Sequence, residues 1–83
     1  MITDAEKRIL NYIYQQGSIT RFECEAVDLP IYNFLDCVAA LKFKGLIGTR
    51  EEDRKSESGR DMKINIYYMK SFLRKKHAKH NQF

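Results

Sequence analysis

At Gly45 the spacing of apolar residues changes from helical to alternating, and this break constrains the fold more than any other feature of the chain. Before it, apolar residues recur every three or four positions; after it, they recur every second position. The chain therefore places helices first and a β-hairpin second, which is the order of an α+β domain. Its 83 residues give room for one domain over 1–83, with a core over 1–69 and a basic tail over 70–83. A chain of this length buries only about 60% of the surface its unfolded form exposes, so each large apolar side chain is needed for the core.

The helical part carries its own start and stop signals. Thr3-Asp4-Ala5-Glu6 fits the capping box in which a hydroxyl and a carboxylate satisfy two otherwise unpaired backbone donors. Ala5, Ile9, Leu10, Ile13 and Tyr14 follow on one face, and Gly17 ends a helix predicted over 3–16. Ser18-Ile19-Thr20 is long enough only to pair at the edge of a small sheet. Thr20-Arg21-Phe22-Glu23 is a second capping box, flanked by Ile19 and Cys24 as a hydrophobic staple, and predicts a brief helix over 21–28. Leu29-Pro30 stops it, because a residue before proline is pushed out of helical conformation, and Pro30 then suits the first turn of the next helix.

The third helix is predicted over 31–44. Centring its buried stripe on Val38 turns Ile31, Phe34, Leu35 and Leu41 inward and Tyr32, Asn33, Asp36, Ala40, Phe43 and Lys44 outward. Past Gly45, residues 46–49 read as one strand. Met62, Ile64, Ile66 and Tyr68, alternating with Lys63, Asn65, Tyr67 and Met69, read as a longer second one. Residues 50–61 are polar throughout and read as a long hairpin loop. Phe72 and Leu73 can dock on the core, which leaves room for a short C-terminal helix before the chain turns basic.

Charge and composition narrow the function. The net charge of +4 is unevenly spread: residues 1–49 sum to -1, whereas residues 50–83 carry ten Lys or Arg against five Asp or Glu. A polyanion is drawn to the second half. No apolar run approaches the 18 or so residues a bilayer span needs, and the acidic start of the chain lacks the pattern of a secretory signal, so a cytoplasmic location is expected, without a membrane partner. Cys24 and Cys37 lie at helical apolar spacings and read as small core residues rather than a disulfide. With His77 and His80 they match no zinc spacing, so neither metal nor cofactor is expected. No nucleophile, base and acid stand in a triad arrangement and no glycine-rich phosphate loop follows a strand, so the chain does not read as an enzyme.

The stretches Ile9-Leu10-Asn11-Tyr12-Ile13, Gly17-Ser18-Ile19-Thr20-Arg21-Phe22-Glu23-Cys24 and Val38-Ala39-Ala40-Leu41-Lys42-Phe43-Lys44-Gly45 together resemble the small winged helix-turn-helix proteins of bacteriophages and prophages. The likeness covers about residues 5–69. It implies three helices plus a β-hairpin wing, and a regulator that binds double-stranded DNA in a bacterial or phage-infected cell. It also implies that helix 31–44 enters the major groove with Tyr32, Asn33, Asp36 and Ala40 toward the bases. The chain departs from the family pattern in one respect. Members place an arginine near the middle of that helix, whereas here Asp36-Cys37 stands there and no Arg falls between Arg21 and Arg50. Asn33 can still bond adenine, and Asp36 can accept from cytosine while repelling phosphate. The backbone contacts then fall to Lys44, to Arg54, Lys55 and Arg60 in the wing, and to Arg74, Lys75, Lys76 and Lys79 in the tail. Against this stands a protein-interaction reading on the same fold, a homodimer contact or a host-protein inhibitor or adaptor, because Tyr32, Ala40 and Phe43 form an apolar strip on the outward side of the third helix. Binding of RNA or single strands ranks below both, since most of the five Tyr and five Phe sit at core spacings.

Overall fold

Thr3 opens the first helix, α1 (Asp4–Gln16), in the computed structural model of the protein, which describes residues 2–70. Its hydroxyl accepts from the Glu6 N–H at 3.2 Å while Glu6 Oε1 accepts from the Thr3 N–H at 3.0 Å, so both halves of the capping box are made. Gly17 closes α1 at φ 95°, a conformation costly for any residue with a Cβ, and donates its N–H to Ile13. Ile19 then forms an isolated antiparallel bridge with Tyr67, beside a two-stranded sheet.

Thr20 caps the next segment in the same way, and Glu23 accepts from both its N–H and its hydroxyl at 2.8 Å. The segment Arg21–Val27 is a 3-10 helix, tighter than the expected α-helical turn. Its seven residues lie between a capping box and the Leu29-Pro30 stop, the kind of short connecting segment in which 3-10 geometry is common. Asp28 ends it in the left-handed conformation (φ 60°, ψ 45°), its N–H bonded to the carbonyls of Cys24 and Glu25. Pro30 lies at the N-cap of α2 (Ile31–Phe43) rather than inside its first turn, and Lys44 is the C-cap.

Strands β1 (Ile47–Lys55) and β2 (Asp61–Met69) form an antiparallel hairpin in unbroken register from Ile47 opposite Met69 to Lys55 opposite Asp61. This corrects the expected loop over residues 50–61: only residues 56–60 turn, and the rest is ladder. Three helices followed by such a hairpin make the winged helix-turn-helix arrangement.

Ile9, Leu10 and Ile13 of α1, Ile19, Val27, Leu29, and Phe34, Val38 and Leu41 of α2 pack with Ile47, Tyr67 and Met69 in one core. The Phe34 and Tyr67 rings meet edge to face, 6.1 Å apart at 73°. Cys24 and Cys37 are free thiols, half-buried against this core, and burial pushes the Cys37 thiol up from its ordinary value. Ile64 and Ile66 are buried too, on the face of β2 opposite Tyr67 and Met69. Both faces of β2 thus carry buried residues, where simple alternation had assigned Met62, Ile64, Ile66 and Tyr68 to one phase. Tyr68 is partly exposed beside the cross-strand Gly48, at which a Cβ would run into the tyrosine ring.

Candidate functional site

The second helix of the helix-turn-helix pair, α2, is positioned by three buried side chains and one ion pair. Phe34, Val38 and Leu41 anchor it to the core. At its C-terminal end the Lys44 ammonium bonds both carboxylate oxygens of Glu6, at 2.7 and 3.0 Å, tying α2 to the first turn of α1. Glu6 is almost fully buried. Burial alone pushes its carboxyl up, but the bonds from Lys44 and from the Thr3 N–H and hydroxyl, with the Lys44 charge, outweigh it and hold the carboxyl below its ordinary value. Lys44 therefore stands as a strut between helices, already engaged where the sequence had assigned it to phosphate.

Glu23 plays the corresponding part for the 3-10 helix. It accepts from the Tyr12 hydroxyl at 2.7 Å as well as from Thr20. Burial raises its carboxyl, yet these donors and the Arg54 charge bring it below its usual value; Tyr12 is raised, first by its bond to Glu23 and then by burial. The capping boxes made Glu6 and Glu23 legible as helix-start residues. Nothing in the local sequence marked Lys44 or Tyr12 as their partners, because those contacts join positions 38 and 11 residues apart.

The outward face of α2 differs from the expected one by roughly 40° of rotation about the helix axis. The buried side runs through Phe34, Val38 and Leu41 with Cys37 half-buried, while Ile31 and Leu35, expected inside, are exposed at 36% and 37%. Ala40 is half-buried, and Ala39 is the exposed alanine. The exposed apolar line is Tyr32, Ala39 and Phe43, with Leu35 at its edge; Tyr32 is 79% and Phe43 94% exposed. Asn33 and Asp36 are exposed as well. One carboxylate, Asp36, and one cation, Lys42, border the line, and no cation lies within it.

The wing neutralises most of its own charge. On one face Lys55 stands directly opposite Asp61 and Asp53 opposite Lys63. On the other, Arg50 and Arg54 share Glu52, at 3.4 and 3.0 Å. Arg60 lies in the turn, which Ser56 closes by pairing its backbone with Arg60 and by accepting the Gly59 N–H at its carbonyl. Arg60 and Lys55 make no ion pair among the described residues. Arg74, Lys75, Lys76 and Lys79, with Phe72, Leu73 and the room for a C-terminal helix, lie outside the described residues. Residues 2–70 hold eleven Lys or Arg and eleven Asp or Glu, so the whole excess of +4 belongs to the segment beyond them.

No group of His, Cys, Asp or Glu that could hold a metal ion occurs among the described residues, and none of their helices is long and apolar enough to cross a membrane. The chain matches no protein-family model and none of the curated proteins compared with it.

Proposed function

We propose that this chain is a DNA-associating winged-helix adaptor: its basic C-terminal segment and the wing tip hold duplex DNA by the phosphates, and α2 faces a polypeptide instead of base edges. The observation that carries this reading is the apolar outer face of α2 on a described domain with no net charge. The exposed line of α2 is apolar, residues 2–70 are electrically balanced, and the net positive charge falls in Arg74, Lys75, Lys76 and Lys79. Phosphate contacts supply affinity without sequence information, and an apolar helix face gains little against the hydrophilic edges of a groove. The reading assigns no catalytic step and places the protein in the cytoplasm, beside the DNA of a bacterial or phage-infected cell.

Mobility shifts of the full chain test it. Duplexes of unrelated sequence should bind with similar affinity, and log K should fall against log salt with a slope of about -3, as expected for three or four phosphates. Changing Arg74, Lys75 and Lys76 to Ala should weaken every duplex alike. A strong preference for one site, lost in Asn33→Ala, would overturn the reading and restore α2 as a base-reading helix of a transcriptional regulator. That second reading is favoured by one observation, the exposure of Asn33 on the helix that this fold lays in the major groove.

A further inference from the structure

We propose that the outer face of α2 is a self-association surface, on which a second copy of this chain lays its own α2 antiparallel about a two-fold axis passing beside Ala39. The inference rests on the reading that this face takes a polypeptide, and it names which one.

At 100° per residue Tyr32, Leu35 and Phe43 each fall within about 40° of the line through Ala39, so the four form a single stripe about 80° wide. All four are exposed. Their bulk is arranged large, small, large: Ala39 stands between Leu35 and Phe43, each four residues, or about 6 Å, away along the axis. Reversing the helix about Ala39 sets Leu35 of each copy against Phe43 of the other. The same contact is made twice, which an isologous interface requires. The alanine at the crossing lets the axes approach to about 8 Å, the close end of helix packing.

Charge does not oppose the arrangement. Asp36 and Lys42 lie on opposite edges of the stripe, three residues either side of Ala39. The reversal therefore leaves the two Asp36 carboxylates about 9 Å apart along the axis, and the two Lys42 ammoniums likewise, beyond the physiological screening length of about 8 Å. The exposed parts of Tyr32, Leu35, Ala39 and Phe43 amount to roughly 500 Å² per copy, so covering them fully in both copies would remove about 1,000 Å², the lower bound of a specific interface. A DNA groove finds no cation on this stripe, whereas a second copy finds a matching one.

Sedimentation of the full chain over a wide concentration range tests the proposal. A monomer–dimer equilibrium is expected. Phe43→Ser should weaken it about 30-fold or more, as for loss of a buried aromatic anchor, and Ala39→Arg should abolish it. Both positions are exposed, and unchanged circular dichroism and urea midpoints would show that neither variant has lost its fold. Under mild oxidation Ala39→Cys should give a disulfide-linked dimer, while Asn33→Cys, off the stripe, and the wild-type chain with its own Cys24 and Cys37 should not. A chain that stays monomeric throughout, or a dimer indifferent to both Phe43→Ser and Ala39→Arg, overturns self-association. DNA binding unaffected by those variants would leave the adaptor reading standing in that event, whereas site-selective binding lost in Asn33→Ala would remove that reading itself.

Discussion

Glu6 meets two demands with one carboxylate, closing the first turn of α1 and receiving the Lys44 ammonium from the end of α2. The two partners differ in burial, with 4% of the Glu6 side chain exposed against 32% of Lys44, and this makes their replacement unequal. Lys44→Met strands a buried carboxylate and should cost about 2 kcal/mol, allowing for the water that reaches the lysine. Glu6→Gln keeps the capping geometry, leaves a cation that can turn to solvent, and should cost about 1 kcal/mol. Urea unfolding compares the two. The pH dependence follows from the same pair: the folded carboxyl titrates below its unfolded value near 4.5, so the stability it brings is complete above that pH and is lost as pH falls through the lower folded value. Glu6→Gln should accordingly flatten the acid limb of a plot of melting temperature against pH. Thr49 presents the opposite case. Its hydroxyl is buried and has no hydrogen-bond partner among the described residues. Thr49→Val keeps the shape, removes the unsatisfied group and suits a strand better, so it should stabilise the fold by about 1 kcal/mol in the same assay.

Among the elements, α1 was legible almost to the residue, because its capping box, apolar spacing and terminal glycine agree. The hairpin was half legible. Arg50-Glu51-Glu52-Asp53-Arg54-Lys55 has no apolar alternation, since most of this ladder faces water on at least one side and its stability comes from backbone pairing and opposed charges. A pattern that reports burial cannot register a strand that buries little. The α2 stripe was found with an angular error because Ile31 and Leu35 are apolar but lie at its edge, and they pulled the inferred centre toward the side that is in fact exposed. Phe34 defines the true centre. It is fully buried and meets Tyr67 across the helix–sheet junction, so Phe34→Ala should cost about 3 to 5 kcal/mol and lower the melting temperature more than any exposed α2 change, as thermal melts by circular dichroism would show.

At the scale of the whole molecule, order of elements was the readable quantity and surface chemistry was not. The period change at Gly45 fixes helices before hairpin, and that order leads to the winged helix arrangement. Which residues lie outermost depends on rotations of a few tens of degrees and on long-range pairs such as Lys44 with Glu6, which no local pattern encodes. What was legible of the candidate face is its exposure: Tyr32, Asn33, Asp36 and Phe43 point outward as expected, Ala40 is half-buried while Ala39 is exposed, and Leu35, expected inside, is exposed. The unbroken register of the hairpin carries a mechanical consequence. Nine consecutive pairs without a bulge make a stiff lever whose base, at Tyr67 and Met69, is embedded among the side chains that seat α2. Load on the turn at Arg60 reaches the Phe34–Tyr67 contact through the ladder instead of being absorbed by a slack loop, so whatever grips the wing also pulls on the footing of α2.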